Sequence, residues 1–328
     1  MSEQLRRNLD DLDALAARTA AARELPAPYV EKDFWVTEVL RAAAVDRVVA
    51  MPDGSTAPVT FLFKGGTSLS RVFGIVDRFS EDVDLLAVFP DGPSPRARHD
   101  VLKQVDTDVI AHLGLTNDDV THGASTTGVK RHTTYNYPVT EYDNGLKEGV
   151  LLELGSRGGT YPAGPHSYRS MVADYAITDL GETEDTWEEF ASFKINVLAP
   201  ERTLLEKIAA VHDAAIRGDT ATLLKHGRHF YDIDRLLNTS SVTDALDALG
   251  ASGLADLVED INAHSDEAGF SWSPRPAGGY ADSPAFARTA DVREAIRTGF
   301  EAAQALIRGD RISLDDVTTT VLTNRERL

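Results

Sequence analysis

The chain has 328 residues, enough for one large domain or two ordinary ones, with 42% hydrophobic and 26% charged residues in the proportions of a soluble globular protein. It has no cysteine, which excludes disulfides, thiolate metal sites and cysteine nucleophiles. A formal net charge of −19 excludes indiscriminate coating of nucleic acid, and no apolar run approaches the roughly 18 residues that span a bilayer.

The N-terminus is charged and amphipathic without the apolar core of a signal peptide, so a cytoplasmic protein is expected, with no membrane partner. Leu5, Leu9, Leu12, Leu15 and Ala16 fall at helical spacing, and a second helical run covers 30–44. After the turn cluster at 51–55, residues 59–63 read as a buried strand stopped by Gly65 and Gly66. Thr67 or Ser68 is placed to cap a short helix ending near Gly74. A second strand is predicted at 82–89, then a helix at 96–112. Strands at 133–140 and 149–155 flank Asp143-Asn144-Gly145, which has hairpin chemistry. Beyond about Pro165 the pattern turns helical: 199–216, 228–237, 242–263 with a break near Gly250, and 291–307. The fold class predicted is therefore α+β, a short mixed sheet followed by a mostly helical C-terminal domain, with the division at 1–165 and 166–328.

The chemistry centres on Ser80-Glu81-Asp82-Val83-Asp84. Side chains alternate along a strand, so Asp82 and Asp84 share a face while Val83 and Leu85 point to the core. Two adjacent carboxylates repel, and a divalent cation between them supplies the missing charge. An acidic edge strand is the plainer reading of such a pair taken alone. Upstream, Lys64-Gly65-Gly66-Thr67-Ser68 forms a strand-to-helix junction at which backbone N–H groups approach a phosphate. It is neither a Walker loop nor a dinucleotide fingerprint. Downstream, Glu153 is the one carboxylate of an apolar strand and calls for a compensating partner. Placed beside the Asp82 strand, it completes three carboxylates around two magnesium ions, able to activate a hydroxyl and stabilise leaving pyrophosphate. A solvent-facing Glu153 on an edge strand is the other reading. Between Lys194 and Arg235 seven Lys/Arg stand against six Asp/Glu, with three histidines, which makes this the least acidic stretch and the one where an anion would dock.

In order, Tyr29-Val30-Glu31-Lys32-Asp33-Phe34-Trp35-Val36-Thr37, Phe63-Lys64-Gly65-Gly66-Thr67-Ser68-Leu69-Ser70, Arg78-Phe79-Ser80-Glu81-Asp82-Val83-Asp84-Leu85, Leu152-Glu153-Leu154, Leu205-Glu206-Lys207 and Arg228-His229-Phe230-Tyr231-Asp232-Ile233 resemble the AbiEii/AbiGii toxin family of nucleotidyltransferases, which includes the MenT toxins. The resemblance implies a polymerase-β-like nucleotidyltransferase core joined to a helical domain, NTP as co-substrate with Mg²⁺, and an antitoxin partner. In the MenT branch the acceptor is the 3′ end of tRNA, extended so that charging fails. By motif match Asp82 and Asp84 would be metal ligands, and Gly65, Gly66 and Ser68 the phosphate cradle. Lys64, Lys207 and Asp232 match positions needed for activity, and Ser80 matches a serine that is phosphorylated in one branch, where about two added negative charges would repel a triphosphate. Arg228 and His229 are candidate RNA or phosphate contacts. The fifteen residues between Gly66 and Asp82 make a longer connection than the general pattern, and the acidic charge fits a tRNA substrate poorly. Two other functions stay open: transfer to a protein hydroxyl or a small molecule such as an aminoglycoside, and a non-catalytic interaction module.

Overall fold

A computed structural model describes residues 3–138, 146–288 and 291–328. Buried Leu12, Ala16 and Ala20 form one stripe of α1 (Leu9–Arg23), whose N-terminus Asn8 caps by accepting from the Asp11 amide. The next helix, α2 (Ala27–Ala43), is buried on nearly every face. Its charged residues therefore need partners: Asp33 accepts from the Met171 amide at 2.6 Å, and Glu38 holds Arg41 at 3.1 Å and His112 at 2.8 Å.

Strands β1 (Arg47–Ala50) and β2 (Thr56–Lys64) precede α3 (Gly65–Arg71), and β3 (Asp82–Val88) precedes α4 (Pro95–Leu113). Then come β4 (Val120–Thr126), β5 (Lys130–Tyr135), β6 (Val150–Gly155), β7 (Ala163–Tyr168), α5 (Met171–Thr178) and β8 (Phe193–Leu198). The strands make one eight-stranded sheet in the order β4-β5-β6-β3-β2-β8-β7, with β1 also on β2. It is mixed: β2 runs antiparallel to β3 and parallel to β8, while β3 runs parallel to β6 and β5 antiparallel to it. Val83 and Leu85 on β3 and Val150, Leu152 and Leu154 on β6 are buried, and α2 packs against both strands.

By its internal contacts the chain forms two compact units. The first comprises Met1–Thr67, Glu81–Ser156 and Ala163–Val197, and carries the sheet. The second comprises Ser68–Ser80, Arg157–Pro162 and Leu198–Leu328. Its helices are α6 (Pro200–Ile216), α7 (Thr220–Lys225), α8 (Gly227–Leu237), α9 (Ser240–Ala268), α10 (Arg293–Ala303) and α11 (Leu314–Thr323). They enclose a core that includes Leu205, Ile208, Phe230, Ile233, Val258 and Phe300. Among the described residues no helix is long and apolar enough to cross a membrane.

The α+β reading holds as a mixed sheet with eleven helices among the described residues. Several details differ from the sequence expectation. The sheet is wide, not short, because β4, β7 and β8 join it; β7 straddles Pro165 and β8 lies beyond it. Strands β4 and β7 lie at its edges, where polar sequences such as Val120–Thr126 carry little hydrophobic signal. The α3 helix starts at Gly65, two residues before the anticipated Thr67 cap. The strand expected at 133–140 is β5, which starts at Lys130 and ends at Tyr135, since its first half is too charged to read as a strand. The anticipated hairpin loop at Asp143-Asn144-Gly145 lies outside the described residues. The break near Gly250 is present, as a residue with φ of 63° inside α9.

Candidate active site

Four neighbouring strands bring one row of side chains together in the first unit. Lys64 on β2 pairs in register with Asp84 on β3, Asp84 with Glu153 on β6, and Glu153 with His132 on β5. Cross-strand partners point to the same face of a sheet, so the four side chains stand side by side. Asp82 lies two residues before Asp84 on that same half-buried face, opposite Leu151. Glu153 is on an interior strand, not an edge; its side chain is 41% exposed, and His132 Nδ1 stands 4.0 Å from its Oε1.

Asp84 bears the electrostatic consequence. Burial, with Glu153 and Asp82 adding negative charge and Lys64 only partly offsetting it, pushes its carboxyl up from 3.8 to about 6. A bound cation would reverse that balance. The donors are all carboxylate oxygens, the kind a hard divalent ion such as Mg²⁺ takes. Among the described residues, however, no three acidic or histidine side chains already stand as a metal-binding group. The donors fit such an ion by chemistry, as an open row and not a closed cage.

Gly65 lets the strand-to-helix junction come up against this row. Its φ is +80°, and a Cβ there would lie 2.0 Å from Asp84 Oδ2 and 2.9 Å from its Cγ. Only glycine lets the junction pass this close to the carboxylate. Thr67, 1% exposed, ties the start of α3 to the acid strand by donating from Oγ1 to the Asp82 carbonyl at 2.6 Å. Gly66 and Ser68 are buried beside it in sequence, and Ser80 is half-buried two residues before Asp82.

Three residues were not singled out from the sequence. Lys32, on α2 and 1% exposed, donates to the carbonyls of Lys147 and Gly149 and pairs with Glu81 Oε2 at 3.5 Å. Burial lowers its pKa, with Glu81 opposing the shift. Glu81 accepts from the Lys147 amide at 2.9 Å, and Lys147 Nζ sits 3.2 and 3.0 Å from the two oxygens of Asp82. Lys32 and Glu81 stand inside stretches recognisable in the sequence, but their pairing does not; for Lys147 there was no signal.

Ser68 and Ser80 belong by their contacts to the second unit, as do the remaining sequence-predicted residues. Asp232 on α8 is fully buried and receives Arg78 through Nε at 2.6 Å and Nη2 at 2.7 Å, with Lys207 Nζ of α6 at 2.9 Å. Burial would raise its carboxyl, yet Arg78 and then Lys207 hold it far below the usual carboxylate range. Lys207 is thus engaged by Asp232, and Arg78 is a partner that sequence reasoning passed over. His229, next to half-buried Arg228, stacks on His226 with ring centroids 4.4 Å apart. Burial, then the Lys207 charge, lowers its pKa well below the ordinary histidine value, so the ring is neutral near pH 7.

Residues 54–319 match the family described as nucleotidyl transferase AbiEii toxin, Type IV TA system. The match covers most of the chain, and the chain belongs to that family. No curated protein matches it in sequence.

Proposed function

We propose that this AbiEii nucleotidyl transferase moves a nucleotide from an NTP to an RNA end, the 3′ acceptor end of tRNA, with Mg²⁺ held by Asp82, Asp84 and Glu153. The observation that carries the reading is the cross-strand row Lys64–Asp84–Glu153 with Asp82 on the same face, closed against the Gly65 junction. In the transfer an oxygen of the acceptor hydroxyl bonds to the α-phosphorus and its proton passes to solvent, the bond from the α-phosphorus to the β-phosphate oxygen breaks, and pyrophosphate leaves. When bound, the ion supplies charge compensation and Lewis acidity at the reacting phosphate. The carboxylates of Asp82, Asp84 and Glu153 would hold and orient it. Lys64 offsets part of the negative charge of the row. Gly65, Gly66 and Ser68 offer the junction's backbone and hydroxyl to phosphate, and a phosphoryl group on Ser80 would repel it.

In the second unit Arg78 and Lys207 grip Asp232 in the middle of α8, one turn beyond Arg228 and His229, which would meet RNA phosphate. The neutral state of His229 makes it a hydrogen-bond partner there, not a charge. Blocking tRNA charging accounts for toxicity, and a type IV toxin works beside a cognate antitoxin. Incubation of the protein with each labelled NTP, Mg²⁺ and total RNA tests the proposal. Label at RNA 3′ ends, lost in Asp82→Ala, is the expected result. RNA left unlabelled by all four NTPs, together with an equally toxic Asp82→Ala protein, would refute it; label on protein or on a small molecule would move the acceptor.

A further inference from the structure

Lys147 is fixed at its backbone and loose at its tip. Its amide donates to Glu81 Oε2 at 2.9 Å and its carbonyl accepts from Lys32 Nζ at 2.6 Å. Lys32 also donates to the Gly149 carbonyl and is itself 1% exposed, so the anchor is a buried one reaching from α2. The side chain therefore starts from a set point beside β3. Its ammonium meets both carboxylate oxygens of Asp82, at 3.2 and 3.0 Å, and stands 3.9 Å from Glu81 Oε1. At 57% exposure the side chain swings away easily, because an ion pair this open to water is weak.

An ammonium on both oxygens of a carboxylate takes the place a divalent ion would claim. The acid row needs a positive charge whether or not an ion is present, since Asp82, Asp84 and Glu153 face Lys64 and half-buried His132 as the other groups in register. We propose that Lys147 is an internal counter-ion of the row: a divalent cation displaces it from Asp82, and the freed ammonium then pairs with phosphate of the incoming NTP. The proposal rests on the active-site reading above. Exchange of one cation for another keeps the carboxylates compensated throughout, and the released lysine, still anchored by Lys32 and Glu81, stays near the anion the metal brings.

Mn²⁺ titration of the full chain, followed by electron paramagnetic resonance without nucleotide, tests it in wild type, Lys147→Met and Asp82→Asn. Removing the competing ammonium should tighten Mn²⁺ binding by roughly fivefold, the worth of an exposed ion pair. With Mn²⁺ saturating, Lys147→Met should bind NTP several-fold more weakly. Mn²⁺ binding that is unchanged or weaker in Lys147→Met, while Asp82→Asn still loses the ion, overturns the counter-ion and leaves the active-site reading intact. Unchanged NTP affinity overturns its pairing with phosphate. If Asp82→Asn binds Mn²⁺ as wild type does, both readings fall.

Discussion

Replacing Gly65 by alanine adds a single methyl group at the point where the junction passes the acid strand. The new Cβ would lie 2.0 Å from Asp84 Oδ2, 2.9 Å from Cγ and 3.2 Å from Cβ, against a practical limit near 3 Å for any real contact. The carboxylate must therefore swing off by about 1 Å, and because the Asp84 Cβ is also crowded, β3 itself resists a simple rotation. The residue also has φ of +80°, which costs an L-residue about 1–2 kcal/mol. Together these give a destabilisation of roughly 2–4 kcal/mol, read by urea unfolding. Nucleotidyl transfer should fall by about a hundredfold or more, since a reacting group misplaced by about 1 Å loses that much. Gly74→Ala is the control: its φ is +62° but a Cβ there meets nothing within 4 Å, so it should show backbone strain alone and keep activity. A Gly65→Ala protein as stable and as active as wild type would refute the claim that this glycine exists to admit the Asp84 carboxylate.

Asp84, pushed from 3.8 up to about 6 by burial and its acidic neighbours, binds its proton more tightly folded than unfolded. Stability of the ion-free chain should therefore fall as pH rises from about 4 through 6, and Asp84→Asn should be more stable at pH 7 by up to roughly 3 kcal/mol, measured by denaturant titration. Asp232 behaves oppositely: held far below the usual range against Arg78 and Lys207, it contributes stability above about pH 4 that is lost on acidification. Asp232→Ala strands the buried Arg78 charge and should cost roughly 3–5 kcal/mol in equilibrium unfolding; a loss under 1 kcal/mol would contradict the network. Chelation by EDTA should abolish transfer while leaving far-ultraviolet circular dichroism unchanged, because the sheet is held by its own ladders and apolar core; unfolding on chelation would show the ion to be structural.

Local periodicity fixes some of this protein without any structure. Alternation along a strand puts Asp82 and Asp84 on one face whatever surrounds them, and the glycine pair marks a tight junction between strand and helix. The family, too, is legible from the order of these short stretches. The sheet's edge strands β4 and β7 were not, since a strand with one neighbour and an exposed face lacks an apolar pattern. Tertiary structure alone decided what stands next to the acid pair. Parallel pairing of β3 with β6 sets Glu153 against Asp84, and burial of α2 against those strands delivers Lys32 to Glu81 and the carbonyls at 147 and 149. Arg78, placed before Asp82 in the chain, turns instead to Asp232 on α8. Strand register and ion-pair choice are set by contacts between residues far apart in sequence, each reflecting the burial of a whole element, so no local pattern carries them.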